Sequence, residues 1–253
     1  MTAILTPGGH CLGWRPDLVD TRDWLYRPEV AVTALPPHVD LMPGFGPVLD
    51  QGQLGSCTAN GIAGAIDFAD RKEGWASENP SRLFIYWNER NAEGTVNSDA
   101  GAAIRDGVKV IAKLGAPPET DWPYDIAKFR ERPPAAAFAA AKRDRLTRYW
   151  RVQSHPTLGL ACLAAGFPFV GGIVVYPSFE AATDGVIPMP EPGEAPIGGH
   201  CILFGGYDLA LRRYKFRNSW AASWGQDGDG TMPFEYLAQL GSDLWTIRRM
   251  TAA

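Results

Sequence analysis

This chain of 253 residues has no block of lysine and arginine. Its 24 basic residues are interspersed with 28 acidic ones, for a net charge of −4, so a nucleic-acid partner has no electrostatic support. No apolar stretch approaches the roughly 18 residues that a membrane-crossing helix requires. The first twenty residues carry His10, Arg15 and Asp17 and lack the apolar core of a signal peptide. That absence points to a cytoplasmic location, with export by another route left open. The four cysteines, Cys11, Cys57, Cys162 and Cys201, form no C-x-x-C pair, which argues against a zinc site. No cofactor or metal motif occurs, and there is no internal repeat. Histidine is scarce too: His10, His38, His155 and His200 are the complete set, which narrows the choice of an imidazole base.

What is present is ordinary globular composition, 45% hydrophobic and 21% charged, arranged in three zones. Residues 1–47 are rich in Pro and Gly and read as an extended arm with little regular structure. Its clusters Trp14-Arg15-Pro16-Asp17 and Arg22 to Tyr26 need a surface to pack on. Residues 48–143 read as helical. Cys57–Lys72 stops before Gly74, Ser81–Arg90 begins on a Ser N-cap, Ala100–Leu114 stops at Gly115, and Ala135–Lys142 follows two prolines. Residues 144–253 read as strands: Leu146–Val152, Phe167–Tyr176, a hairpin of His200–Tyr207 with Arg212–Asn218, and Trp245–Met250. A short helix, Thr157–Ala165, separates the first two. A helical half followed by a strand half predicts an α+β fold of two lobes.

The chemistry concentrates at Gln51-Gly52-Gln53-Leu54-Gly55-Ser56-Cys57. Cys57 opens a small-residue helix, where unpaired N–H groups and the positive end of the helix dipole favour thiolate over thiol. A thiol acyl-transfer site needs a nucleophile, a base, an orienting group and donors for the oxyanion. Cys57 suits the first role and His200, at a Gly198-Gly199 strand entry, the second. Asn218 can hold one ring nitrogen of His200. Gln51 can supply a side-chain N–H beside the backbone N–H of Cys57. Trp220 can cover the His200–Asn218 contact. Each residue alone has a structural explanation; it is their joint occurrence that points to catalysis. Cys162 and Cys201 lie in apolar runs and read as small buried hydrophobes. Cys11 reads as an inert thiol, with a redox contact to another cysteine left open.

These motifs resemble those of the papain-like (C1) cysteine peptidases, in particular a bacterial-type branch. The stretch Gln51 to Thr58 is similar to the family's Q-G-x-C-G-S-C-W, and Asn218-Ser219-Trp220 with Trp224-Gly225 and Gly228 to its N-S-W-G-x-x-W-G-x-x-G. Leu114-Gly115 and Trp122-Pro123-Tyr124 resemble the end of its cleft helix and the Y-P-Y beyond. His200 follows Cys57 by 143 positions and Asn218 by 161; the family spacing is roughly 130–150. The resemblance spans about Val48 to Met250. It implies a two-lobed fold, helical on one side and β-barrel-like on the other, with the active-site cleft between. It implies a cofactor-free hydrolase, probing peptide or protein substrates as an endopeptidase. It makes Gly101 the cleft glycine that pairs with substrate backbone, with Gly199 as a second substrate contact.

The chain departs from the family at Leu54, where a disulfide cysteine is usual, at Thr58, where Trp is usual, and at Ala221, where Gly is usual. No folded inhibitory domain fits in the residues before the core motifs. The aromatic segment Leu12–Tyr26 is instead expected to lie near or across the cleft and limit access. The same site would serve transpeptidation or side-chain amide hydrolysis, and a non-catalytic peptide-binding module is the reading from another class.

Overall fold

Small residues decide where the first long helix can go. The structure, a computed structural model, describes residues 3–18, 20–76, 78–142 and 145–251. Helix α1 (Cys57–Lys72) presents Ala59, Ala63 and Ala65, all buried, together with Gly61 and Gly64. A Cβ on Gly61 would stand 3.1 Å from Cys201 Sγ and 3.3 Å from Val170 Cγ1, so the helix axis lies close against the sheet. Helix α2 (Arg82–Glu93) starts where Ser81 Oγ accepts the N–H of Phe84 at 3.2 Å, and ends at Gly94, whose φ of 73° only glycine adopts readily. Helix α3 (Ile104–Leu114) turns Ile104, Val108 and Ile111 inward, the i, i+4, i+7 stripe that the sequence carries. It begins four residues later than its pattern predicts. Gly101 has φ +67°, outside helical space, and Ala102 pairs with Trp14 of the arm. Helix α4 (Ala135–Ala141) follows Pro134.

The other half is an antiparallel sheet of strands β3 (His38–Asp40), β4 (Arg145–Val152), β5 (Phe169–Val175), β6 (Gly198–Asp208), β7 (Arg213–Arg217), β8 (Asp229–Pro233) and β9 (Gly241–Thr251). The order is β4-β9-β5-β6-β7-β8, with β3 also paired to β6. Strand β5 pairs β6 with Ile173 opposite His200 and Gly172 opposite Cys201. Short helices α5 (Pro156–Ala164), α6 (Pro177–Glu180) and α7 (Phe234–Leu240) fill the connections. One core, including Phe169, Phe179, Phe204 and Phe216, lies within this half. A second, including Ile62, Ile104, Val170, Leu203 and Trp245, joins α1 and α3 to the sheet.

Several elements escape the sequence pattern. Strand β8 reads Asp-Gly-Thr-Met-Pro, with only Met232 as a large buried side chain, and α7 follows it directly. The arm is more regular than its composition predicts. Strands β1 (Ile4–Leu5) and β2 (Cys11–Leu12) pair with one another, and His38–Asp40 extends the main sheet through Val39 opposite Tyr207. The lobe boundary expected between residues 143 and 144 lies outside the described residues.

Beyond the cleft the arm is clasped by charge. Asp17 accepts from Arg151 Nη2 at 2.6 Å and Trp245 Nε1 at 3.0 Å, and its own N–H donates to Asp243 at 2.7 Å. Asp23 pairs with Arg105 at 2.5 Å and with Arg151 at 3.0 Å. The carboxylates of Asp17 and Asp23 are buried, so each requires these guanidinium partners to offset its lost hydration.

Candidate active site

Cys57 is the first residue of α1 and is fully buried. The Ser56 hydroxyl does not cap the helix. It bonds Tyr124 Oη at 2.6 Å and Asn60 Nδ2 at 3.1 Å, pinning the turn that presents the cysteine. The backbone N–H groups of Cys201, Gly13 and Thr58 favour the thiolate. Burial nevertheless pushes the Cys57 thiol up to about 12.

His200 stands on β6, also fully buried, with Nε2 2.7 Å from Asn218 Oδ1. Its Nδ1 has no hydrogen-bond partner. Burial lowers the imidazole to about 4, the Asn218 bond opposing this shift and His10 adding to it. No hydrogen bond joins sulfur and imidazole in this form. Trp220 stacks on the imidazole, centroids 4.7 Å apart.

Gln51 ties the two remote segments together. Its N–H donates to Ser219 O at 2.9 Å, its Oε1 accepts from Ser219 Oγ at 2.7 Å, and its Nε2 donates to Leu54 O at 2.9 Å. Asn218 Oδ1 also accepts the Ser219 N–H at 2.8 Å. One hydrogen-bonded path therefore runs from Gln51 through Ser219 and Asn218 to His200. The second donor on Gln51 Nε2 goes to the carbonyl of Cys11 at 2.8 Å.

That last contact belongs to the arm, which lies through the site from His10 to Arg15. The His10 ring stacks on Trp220 at 4.1 Å and 3°. Trp14 N–H donates to Gly199 O at 3.0 Å. Ala102 N–H donates to Gly13 O at 2.8 Å, and Arg15 N–H to Ala102 O at 3.0 Å, a parallel pairing. The arm's own backbone pairs with Ala102, the neighbour of Gly101. The Gly101 N–H is already committed to Tyr86 Oη at 3.1 Å. Gly101 is needed for closeness: a Cβ there would be 1.9 Å from Gly13 O.

Two carboxyl groups beside the site gave no signal in the sequence. Asp99 accepts the Gly55 N–H at 3.0 Å and the Tyr86 hydroxyl, and Cys11 Sγ approaches it at 3.9 Å. It ties the turn before Cys57 to α2 within the helical half, next to Leu54, where the resembled family carries a disulfide cysteine. All four cysteines here are free. Glu89 is fully buried under α1, accepts Thr58 Oγ1 at 2.9 Å and leaves Oε1 without a partner. Burial pushes its carboxyl up to about 8. Within a helical span such an acid reads as an exposed face. Among the described residues, no group of three or more His, Cys, Asp or Glu is placed to hold a metal ion, and no helix is long and apolar enough to cross a membrane.

Comparison with known proteins places this geometry. No family model matches the chain. Across 219 residues it is 40% identical to an uncharacterized peptidase C1-like protein, L477, of Acanthamoeba polyphaga mimivirus, covering 80% of this chain and 70% of the relative. The chain belongs to the papain-like C1 cysteine peptidases. The crystal structure of xylellain, a cysteine protease from Xylella fastidiosa, matches this peptidase with 42% identity and a TM-score of 0.88 over 96% of both chains. A digestive procathepsin L 3 of Tenebrio molitor, at 16% identity and a TM-score of 0.72 over 90% of this chain and 73% of its own, shares the fold. The two-lobed α+β papain-like architecture and the cysteine peptidase activity expected from the motifs are those of the family.

Proposed function

We propose that this cysteine peptidase hydrolyses peptide bonds through Cys57, with His200 as acid and base, Asn218 orienting the imidazole, Gln51 stabilising the oxyanion and Trp220 shielding the His200–Asn218 bond. The observation that carries the reading is the His200 ring itself: Nε2 is bound to Asn218 and Nδ1 is left without a partner. A base held by one nitrogen keeps the other for the nucleophile.

In the proposed reaction the thiol proton passes to His200 and the sulfur attacks the carbonyl carbon. The oxyanion so formed takes hydrogen bonds from Gln51 Nε2 and the Cys57 N–H. His200 then gives its proton to the amine, the C–N bond breaks, and a thioester remains on Cys57. Water, deprotonated by His200, cleaves the thioester and releases the acid. Each step uses this chain's own residues.

In the arm-docked form the site is silenced. Gln51 Nε2, Gly199 O and both backbone groups of Ala102 are occupied by residues 11–15. Burial also holds Cys57 as thiol and His200 as neutral imidazole at pH 7. Displacing the arm frees the donors and returns water to the pair. The arm is thus an internal occupant that substrate must replace, and the clasp at Asp17 and Asp23 keeps it tethered nearby.

Cys57→Ala and His200→Ala, each compared with the unaltered chain on a fluorogenic peptide mixture, test the assignment. Both variants should fold and lose turnover. Undiminished turnover by either removes that residue from the mechanism.

A further inference from the structure

Arg82, the first residue of α2, is only 8% exposed, and no step of the proposed reaction uses it. Its Nε and Nη2 donate to the Glu119 carboxylate at 2.9 and 2.6 Å. That pair alone balances the charge. The other arm of the guanidinium goes further. Nη1 donates to the main-chain carbonyl of Asp50 at 2.8 Å and to Asn60 Oδ1 at 3.2 Å. Cζ lies 3.9 Å from the centroid of the Tyr124 ring. A buried cation is thus joined at once to the turn that carries Gln51 and to the helix that carries Cys57.

Both acceptors lead to a proposed oxyanion donor. Asp50 O shares a planar peptide unit with the Gln51 N–H, which donates to Ser219 O at 2.9 Å. Bonds on both edges fix that unit, and the Gln51 side chain projects from it. Asn60 extends the hold to Cys57. A guanidinium has no lone pair to offer, so Asn60 must turn its oxygen to Arg82 and its amide nitrogen to Ser56. Asn60 Nδ2 donates to Ser56 O at 2.9 Å and to Ser56 Oγ at 3.1 Å. Ser56 O also accepts the Asn60 N–H at 3.0 Å. That carbonyl shares its peptide plane with the Cys57 N–H, so fixing the one aims the other. Tyr124 closes the circuit. Its hydroxyl, pushed up to about 12 by burial, keeps its proton and donates it to Gln51 O at 2.9 Å. The 2.6 Å contact with Ser56 Oγ therefore takes the serine proton.

We infer that Arg82 is a positioning residue for the oxyanion site: directly at the 50–51 peptide, and through Asn60 at the 56–57 peptide, it sets the seat of the Gln51 side chain and the direction of the Cys57 N–H. The inference rests on the peptidase reading above for its chemistry. Arg82 acts without touching substrate, and it lies outside the cysteine, histidine and asparagine motifs. A planar fork suits the task, because one group must reach Glu119, Asp50 O and Asn60 Oδ1 together. Small shifts matter here: a misplacement of about 1 Å can cost about 10²-fold in rate.

The test compares full-length Arg82→Met, which removes all four bonds, with the unaltered chain in two reactions of Cys57. Peptide hydrolysis passes through an oxyanion. Alkylation by iodoacetamide displaces iodide at a saturated carbon and forms none. In Arg82→Met kcat should fall by about tenfold or more with KM held within about threefold, while alkylation of Cys57 is not slowed. A kcat within about threefold of the unaltered chain overturns the inference. So does a parallel loss of hydrolysis and alkylation, which marks general damage around the thiol. Asn60→Ala leaves Arg82 on Glu119 and Asp50 and removes only the link to Ser56. It should reproduce the split, and it supplies the readout if Arg82→Met does not fold. An undiminished kcat in Asn60→Ala overturns the path through Asn60. Amide hydrogen exchange over residues 50–57, followed by mass spectrometry, needs no turnover. Relative to the unaltered chain it should quicken by about tenfold or more in Arg82→Met, with exchange over residues 200–207 unchanged. If the unaltered chain cleaves no peptide, the peptidase assignment falls and exchange decides the rest. Faster exchange across the turn keeps Arg82 as its anchor, and unchanged exchange defeats the inference.

Discussion

The side-chain amide of Gln51 stands 2.8 Å from the main-chain carbonyl oxygen of Cys11. A donor assigned to a substrate oxyanion is therefore holding a peptide carbonyl of the same chain. The same amide is locked by Leu54 O and Ser219 Oγ, so it needs no rearrangement to receive a substrate. Gln51→Ala, assayed on an optimised peptide, should lower kcat by about 10²–10³, the usual cost of losing one oxyanion donor. A loss under about threefold would restrict Gln51 to tying the arm and Ser219 in place.

The arm's hold on the site depends on burying Trp14. Trp14→Ala removes a large buried side chain and should shift the arm toward its undocked form. Alkylation of Cys57 by iodoacetamide at pH 7 should then quicken at least tenfold, measured by peptide mass mapping. Equal alkylation rates in both proteins would mean that the arm does not shield the thiol.

Docking should respond to pH through several groups at once. His200, lowered by burial to about 4, and His10, also lowered by burial, bind protons more readily when the arm is away. Asp17 acts in the opposite sense: burial and Asp243 push it up to about 6, so the docked form holds its proton more tightly. Between pH 6.5 and 4 two imidazoles favour undocking and one carboxyl opposes it, so acidification should release the arm. Limited proteolysis after Pro16 should accelerate from pH 7 to pH 5 relative to an unstructured control peptide. A slower relative rate at pH 5 would show that Asp17 dominates.

Asp99 joins the turn before Cys57 to helix α2 through the Gly55 N–H and the Tyr86 hydroxyl. Asp99→Ala strands the Gly55 N–H and the Tyr86 hydroxyl, each at about 1–3 kcal/mol if left unpaired. At about 2–4 °C per kcal/mol for a chain of this size, Tm should fall by at least 4 °C. Dithiothreitol should leave the Tm of the unaltered chain unchanged, since its four cysteines are free. A Tm that drops on reduction would contradict this.

Much of this site was legible because its residues sit where local chemistry is unusual. Cys57 opens a small-residue helix, and His200 was singled out among four histidines by its Gly-Gly strand entry. Asn218 and Trp220 stand in one short motif. In the structure His200 touches Asn218 and Trp220, and Gln51 reaches Asn218 through Ser219. The arm's aromatics pointed to Leu12–Tyr26 near the cleft, whereas the structure lays His10–Arg15 through the site and holds Asp17 and Asp23 beyond it, and the seat of Trp14 was not foreseeable. That seat depends on Gly172 of β5 and Gly199 of β6, whose missing side chains matter only after the two strands pair. Asp99 and Glu89 were hidden for a like reason: their partners, Gly55 and Thr58, are remote in sequence. Strand β8 lacked an apolar alternation, because its place is fixed by β7 rather than by its own propensity.

The most direct test of the account titrates the thiol itself. The full-length chain is treated with increasing iodoacetamide, Cys57 occupancy is read by mass mapping, and peptide hydrolysis is followed on the same samples. Activity should fall in proportion to Cys57 alkylation, whichever other thiols react. Full hydrolysis by protein whose Cys57 is quantitatively alkylated would contradict the account.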